Sequence, residues 1–434
     1  MHQGRRTVLA VALLGVFDSL WAAAPDAARR HAQLDRELAA IAADPACTLA
    51  SLSVLAIRDG KVAYEGAFGR RRIGKGAMPD LPATPDTLYR IASVSKLMTT
   101  LGLMRLVEDG KFDLDADVSA YLGFTLRNPH FPQRAITLRH LLTHTSSLRD
   151  EAGYSFPVGT SLRSFLIPGA PATYARQAGP GDWFTYCNLG WGIIGTMMER
   201  ATGERFDRLM RRLLLDPLGL EAGYNPAELA PAALAQLATL YRKRTVDTEA
   251  WDANGPWIAQ ADDVGARPPS PPPGIERYVI GENATPFSPT GGLRIAARGL
   301  GVVMRMLMNG GVHEGKRILQ AATLERMFAR QWTADGKGGN GDSMNGFFNA
   351  WGLGNAQFPD QPGMRLVGGF DAVGHLGDAY GLRSVFALDR KRGNGLVVLV
   401  GGTSVDPASV RGRYSALAGF EENILSSMFR HVIG

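Results

Sequence analysis

Residues 89–106 read YRIASVSKLMTTLGLMRL, and the rest of the chain is organised around them. Ser93 and Lys96 stand three positions apart in this stretch. Leu97, Met98, Leu101, Met104 and Val107 then follow helical spacing, and Glu108-Asp109-Gly110 supplies a stop. The pattern predicts a helix that starts at or near Ser93, with Lys96 one turn along on the same face. Such a position suits a nucleophile. Unpaired backbone N–H groups and the positive end of the helix dipole face any anion formed there. An amine one turn away can accept the hydroxyl proton if burial or nearby cations lower its pKa. An N-capping serine beside a solvated lysine has the same spacing, so the remaining sequence has to decide between the two.

The chain has 434 residues, 45% apolar and 20% charged, which describes an ordinary globular protein with material for a large core. Its formal charge of +6 modestly favours anionic ligands or surfaces. No Lys/Arg tract with interleaved aromatics stands out beyond Arg70-Arg71-Arg72 and Arg211-Arg212, so nucleic acid is not an expected partner. At the N-terminus, Arg5-Arg6 precede an apolar run over 7–24 that ends in Ala22-Ala23-Ala24. This is the layout of an export signal over 1–24. Asp18 interrupts the run and Pro25 follows the most obvious cut, so the segment is either cleaved or retained as a membrane anchor. The paired arginines also admit a twin-arginine signal. A periplasmic or secreted protein is the expectation. Cys47 and Cys187 are too few for a disulfide scaffold; one bridge is formally possible, and two unpaired, buried thiols are expected.

In chain order, 26–43 is charged and Ala-rich with apolar residues at helical spacing. Residues 49–68 alternate around Arg58-Asp59-Gly60-Lys61, a hairpin signal. A loop over 69–85 leads into the Ser93 helix. Residues 136–148 read ITLRHLLTHTSSL and predict a helix with Ile136, Leu138, Leu141 and Leu142 as its apolar side. His140 and His144 lie four apart within it, but no Glu follows His140 and no carboxylate-rich partner stands out, so structural histidines and no metal are expected. Tyr186-Cys187-Asn188 precede a helix with glycines on its packing face. The stretch 267–274, RPPSPPPG, predicts a surface loop within the fold and not a linker. Residues 371–388 and 395–401 are strand-like, and a last helix is expected over 415–428. Strands at both ends of the chain with helices between them imply one antiparallel sheet and an α+β fold. The expected division is an α/β part over 25–115 and 286–434 and a mainly helical part over 116–285, in one catalytic domain spanning 25–434.

Three sites now stand in order: Ser93-x-x-Lys96, Tyr186-x-Asn188 and His375-Leu376-Gly377. With DTLYRIASVSKLMTTLGLMRLVEDGKFDLDADV, ITLRHLLTHTSSL, PGDWFTYCNLGWGIIG, DPLGL, SPTGGLRIAA and GHLGDAYGLRS around them, the chain resembles the serine β-lactamase and penicillin-binding-protein superfamily. The likeness is to its class C β-lactamase, DD-peptidase and esterase branch, from about residue 49 to the C-terminus, interrupted mainly around residues 245–285. It implies a β-lactamase/transpeptidase-like fold, an antiparallel sheet flanked by helices, and acyl transfer to a small ester, amide or peptide without a cofactor. An acyl transfer needs a nucleophile, a base, oxyanion donors and a proton for the leaving group. Ser93 would be the nucleophile, and Lys96 and Tyr186 the candidate bases. The family's usual account gives the tyrosine that role as phenolate. Asn188 would hold Lys96 and the substrate's carbonyl side. By the resemblance, His375 opens the third motif, Gly377 contacts substrate, and the backbone N–H groups of Ser93 and Asp378 form the oxyanion hole.

The departures lie in the third motif. Lysine is replaced by His375, a weaker carboxylate anchor that titrates near pH 6.5 when unperturbed. The family's threonine is replaced by Leu376, and Asp378 would put a carboxylate close to the oxyanion unless it turns away. These changes favour an esterase or D-peptidase over a true β-lactamase. A non-catalytic cell-wall ligand-binding protein on the same fold would be favoured only if Ser93, Lys96 or Tyr186 were missing, and all three are present.

Overall fold

The structure is a computed structural model that describes residues 17–265 and 267–434. Its centre is a nine-stranded sheet, antiparallel at every pairing. The strands are β1 (Ser51–Arg58), β2 (Lys61–Arg72), β3 (Leu81–Pro82), β4 (Trp332–Thr333), β5 (Ala350–Trp351), β6 (Ala356–Phe358), β7 (Ala372–Ala379), β8 (Leu382–Asp389) and β9 (Asn394–Val400). Their spatial order is β4-β5-β6-β7-β8-β9-β1-β2-β3. The two ends of the chain therefore meet at β9 and β1, in register from Leu52 opposite Val400 to Ile57 opposite Gly395. The β1–β2 hairpin turns at Asp59 and Gly60, both at positive φ, as the Asp-Gly pair requires.

The central strands are buried on both faces, so their sequences read as apolar runs. Alternation still sorts the side chains. Val54, Val385 and Val398 join one core with Leu34 and Leu38 of helix α1 (Phe17–Ala42) and Ile424 and Leu425 of the last helix, Gly419–Met428. Leu55, Phe386 and Val397 join the other core. There they meet helix α2 (Val94–Glu108), the helix Ala297–Met308 and the middle of the chain, including Leu141, Trp191 and Phe206. Helix α2 is buried on nearly every side, so its apolar residues extend beyond the stripe read from the sequence. Asp109 ends it and Gly110 follows at φ 69°.

Four boundaries differ from the sequence reading. The first helix begins at Phe17 and overlaps the end of the export segment, of which residues 1–16 lie outside the described part. The helix expected over 136–148 is confined to α3 (Leu138–Leu142), because Thr143 ends it and His144 turns left-handed at φ 56°. The strand-like run 371–388 is two strands, β7 and β8, joined at Tyr380 and Gly381 with φ of 58° and 85°. The last helix starts at Gly419. Cys47 and Cys187 are both unpaired and buried.

Candidate active site

The segment before Ser93 is clamped. Tyr89 and Arg90 pair with Ile295 and Arg294, and the Ile91 N–H donates to Leu293 O at 2.9 Å. Ala92 is held left-handed at φ 47°, a conformation that costs an L-residue about 1–2 kcal/mol. The turn delivers Ser93 to the N-cap position of α2, yet its hydroxyl does not cap the helix. The hydroxyl bonds instead to Lys96 Nζ at 3.0 Å and to Tyr186. Lys96 is fully buried, so the reading of a capping serine beside a solvated lysine does not hold.

Lys96 Nζ has two further partners, Asn188 Oδ1 at 2.7 Å and Thr290 O at 3.1 Å. Both can only accept. A neutral amine has two N–H bonds and one lone pair. With both N–H groups taken by pure acceptors, the lone pair is left for the Ser93 hydroxyl. Burial pushes Lys96 down to about 7, against the opposing fields of Asp150 and Cys187. Burial pushes the Tyr186 phenol up, above its ordinary range, and its bond to Ser93 only partly opposes this. Near neutral pH the amine can therefore lose its proton, while the phenol keeps its own.

Asn188 is oriented by Asp150, a residue that the sequence reading passed over. The Asp150 carboxylate accepts Asn188 Nδ2 at 2.9 Å, the Asn188 N–H at 2.7 Å and the Leu189 N–H at 2.9 Å. It thereby caps the helix α4 (Leu189–Thr202) from outside, and Asn188 Oδ1 is left to face Lys96 and the Thr290 hydroxyl, the latter at 2.8 Å. The Nδ2 contact also fixes which way the amide points. The glycines of α4 bring Thr290 within reach: a Cβ at Gly195 would lie 2.5 Å from Pro289 Cγ. The only sequence signal for Asp150 was an otherwise unexplained carboxylate just after the segment 136–148.

Tyr186 stacks on Phe348 at 5.1 Å and leans on His144 at 4.3 Å between ring centres. His144 is buried, and its Nδ1 accepts the Cys187 N–H at 2.9 Å. Burial, with Lys96 and His375 nearby, keeps the ring neutral. His140 does a separate task, accepting the Thr137 N–H at 3.2 Å at the start of α3. Among the described residues no group of three or more His, Cys, Asp or Glu could hold a metal ion.

His375 differs from the expectation of a substrate-facing donor that titrates near pH 6.5. It is fully buried, enclosed by Trp351, Phe348 and Tyr186 at 5.4, 6.1 and 6.3 Å between ring centres. Its Nδ1 bonds to Leu376 O at 2.6 Å, which requires the proton on Nδ1. Burial first, and Lys96 second, hold its pKa down at about 3. The ring is a neutral wall behind Tyr186, and Leu376, Gly377, Asp378 and Ala379 form that side of a cleft of about 740 Å³.

Gly377 lets β7 approach the Ser93 turn. A Cβ there would lie 2.7 Å from Ile91 O and 3.2 Å from the Ser93 nitrogen. The two-residue turn at Tyr380-Gly381, with both φ positive, makes Ala379 and Leu382 a hydrogen-bonded pair. Alternation makes Asp378 and Arg383 a non-bonded pair, so the Asp378 N–H points away from β8. On that side the β6 pairing ends at Gly374, and Asp378 lines the cleft. The Asp378 carboxylate turns away to Arg383, at 2.6 Å, and Arg383 is held in turn by buried Glu421 at 2.9 Å.

A family model described as Beta-lactamase matches residues 34–420. Esterase EstB of Burkholderia gladioli is 33% identical over 193 residues, 39% of this chain and 46% of that protein. The D-alanyl-D-alanine-carboxypeptidase/endopeptidase AmpH of Escherichia coli (strain K12) is 29% identical over 182 residues, 40% of this chain and 45% of that protein. The chain thus matches about half the length of these curated relatives. Among solved structures, the D-amino acid amidase from Ochrobactrum anthropi SV3 complexed with L-phenylalanine has a TM-score of 0.64 at 20% identity, over 92% of this chain and 99% of that one. At that identity the likeness concerns the fold.

Proposed function

The chain belongs to the beta-lactamase family, and from that premise we propose that it hydrolyses an ester or amide through an acyl-enzyme on Ser93. One observation carries the reading: Lys96 is buried with both of its N–H directions taken by pure acceptors and its third direction on the Ser93 hydroxyl. The neutral amine takes the Ser93 proton as Oγ attacks the carbonyl carbon. The oxyanion is received by the N–H groups of Ser93 and Asp378. Tyr186, still protonated, gives its proton to the leaving oxygen or nitrogen and regains one from the Lys96 ammonium. Water then attacks the acyl carbon with the same base, releasing the acid. Asn188 keeps Lys96 in place, Asp150 keeps Asn188 in place, and His375 packs behind Tyr186 as a neutral ring. Residues 25–434 act as one catalytic unit.

Esterase or D-peptidase chemistry is favoured over β-lactam hydrolysis. A β-lactam places a carboxylate close to its reactive carbonyl, and along β7 this chain offers Leu376 and a buried, neutral His375. Hydrolysis rates on p-nitrophenyl esters, D-amino-acid amides and β-lactams test this, and esters or amides should turn over fastest. With a neutral ester, kcat/KM should rise with pH on a limb with an apparent pKa of about 7, as Lys96 loses its proton. A profile flat from pH 5 to 9 would contradict the role given to Lys96.

Export belongs to the same proposal and rests on Arg5-Arg6 and the apolar run 7–24. Among the described residues no helix is long and apolar enough to cross a membrane. Cell fractionation with N-terminal mass mapping should find the chain in the envelope or medium, cut after Ala24 or retained as an uncut anchor. Recovery only from the cytoplasm with Met1 intact would refute this.

A further inference from the structure

We propose that the substrate carries a carboxylate set back from the scissile bond, and that Arg90 binds it where the cleft meets a neighbouring pocket. The inference builds on the acyl-enzyme reading, since it names the class of ester or amide that the same site accepts. Arg90 lies three residues before Ser93. It lines both the cleft and a second pocket of about 430 Å³. Its Nε donates to Gly291 O at 3.1 Å, and its guanidinium lies 4.6 Å from the centre of the Tyr380 ring. These contacts fix the plane of the group and leave its terminal nitrogens without a carboxylate partner among the described residues.

The charges around Arg90 point the same way. Arg383, the other arginine on the cleft wall, is taken up by Asp378 and Glu421. Arg294, the other arginine of the second pocket, is closed by Asp262 at 3.1 and 2.8 Å. The second pocket is lined by Pro271, Pro272, Phe156 and Phe287, among others, and no acidic side chain is among its described lining residues. A pocket of mixed lining, with apolar patches at Pro271, Pro272, Phe156 and Phe287 and one guanidinium that has no described carboxylate partner, suits a short chain ending in a carboxylate, bound by charge-assisted hydrogen bonds. Elsewhere along the cleft Glu151 is exposed, and Asp150 is engaged by Asn188 and Leu189. Both disfavour a carboxylate beside them, whereas Arg90 is the cleft arginine without a carboxylate partner among the described residues.

The test compares p-nitrophenyl monoglutarate with p-nitrophenyl pentanoate on the wild type, Arg90→Gln and Arg90→Lys. The ratio of kcat/KM, charged over neutral, should fall about 10- to 100-fold in Arg90→Gln and recover in part in Arg90→Lys. An unchanged ratio overturns the proposal, as does an equal loss on both esters, which would mean that Arg90 only holds Gly291 and Tyr380. Binding separates this result from the chemistry. Calorimetric titration of monobenzyl glutarate into Ser93→Ala should weaken about tenfold or more when Arg90→Gln is added. If that dependence is seen but neither ester turns over, the acyl-enzyme reading fails and the carboxylate site stands. If binding is indifferent to Arg90, the carboxylate site fails whatever the esters do.

Discussion

Ser93→Ala should reduce ester turnover by at least about 10⁴-fold, to the small residue left by the oxyanion donors and binding, without unfolding the chain. The hydroxyl makes no helix cap, so its loss removes no backbone partner. Lys96 keeps Asn188 Oδ1 and Thr290 O, and the backbone N–H at position 93 is retained. Only the bonds to Lys96 and Tyr186 disappear, which should change stability by about 1 kcal/mol or less. The measurement is kcat for a p-nitrophenyl ester alongside a thermal melt. Retained turnover in a protein that melts like the wild type would remove Ser93 from the chemistry.

Lys96→Met should cost about 10²- to 10⁴-fold in kcat, the usual worth of a positioned base. Its effect on stability has the opposite sign at low pH. In the unfolded chain the lysine holds its proton up to about pH 10.4, whereas the folded amine gives it up near 7. Between those values the unfolded state binds one more proton, so wild-type stability rises with pH across the window. Below pH 7 the whole cost of a buried cation is felt, of the order of a few kcal/mol. Methionine carries no such cost, although the Thr290 carbonyl and one bond to Asn188 lose their donor, at about 1 kcal/mol each. The variant should therefore melt above the wild type at pH 6, and the gap should shrink toward pH 9. A gap that widens with pH would contradict the buried, pKa-lowered amine. Loss of activity with gain of stability is what a site that stores an unfavourable charge predicts.

The two halves of this account were unequally visible in the sequence. The Ser93–Lys96 spacing, the Asp59-Gly60 hairpin and the apolar runs of β1, β8 and β9 follow local rules of period and turn chemistry, and all are where those rules put them. The helix over 136–148 was misjudged because its second half obeys tertiary packing. His144 is drawn into the aromatic cluster of Tyr186, Trp191 and Trp351, and the backbone turns left-handed to allow it. The β7–β8 hairpin was hidden because Tyr380 occupies a turn position where Gly, Asn or Asp is usual. Asp150 could not be found by spacing at all, since it acts on residues 37 to 39 positions away through a loop. His375 was located correctly on its strand, but its burial among aromatic rings, and hence its neutrality, is a property of the packed core.

The central claim is a covalent bond between substrate acyl group and Ser93 Oγ. Intact mass after brief mixing with p-nitrophenyl esters, D-amino-acid amides and β-lactams, followed by peptide mapping, tests it most directly. The account predicts a mass gain equal to one acyl group, located on the peptide that holds Ser93 and absent in Ser93→Ala. An adduct on another residue, or turnover of the ester by a Ser93→Ala protein that still gains the same mass, would contradict it.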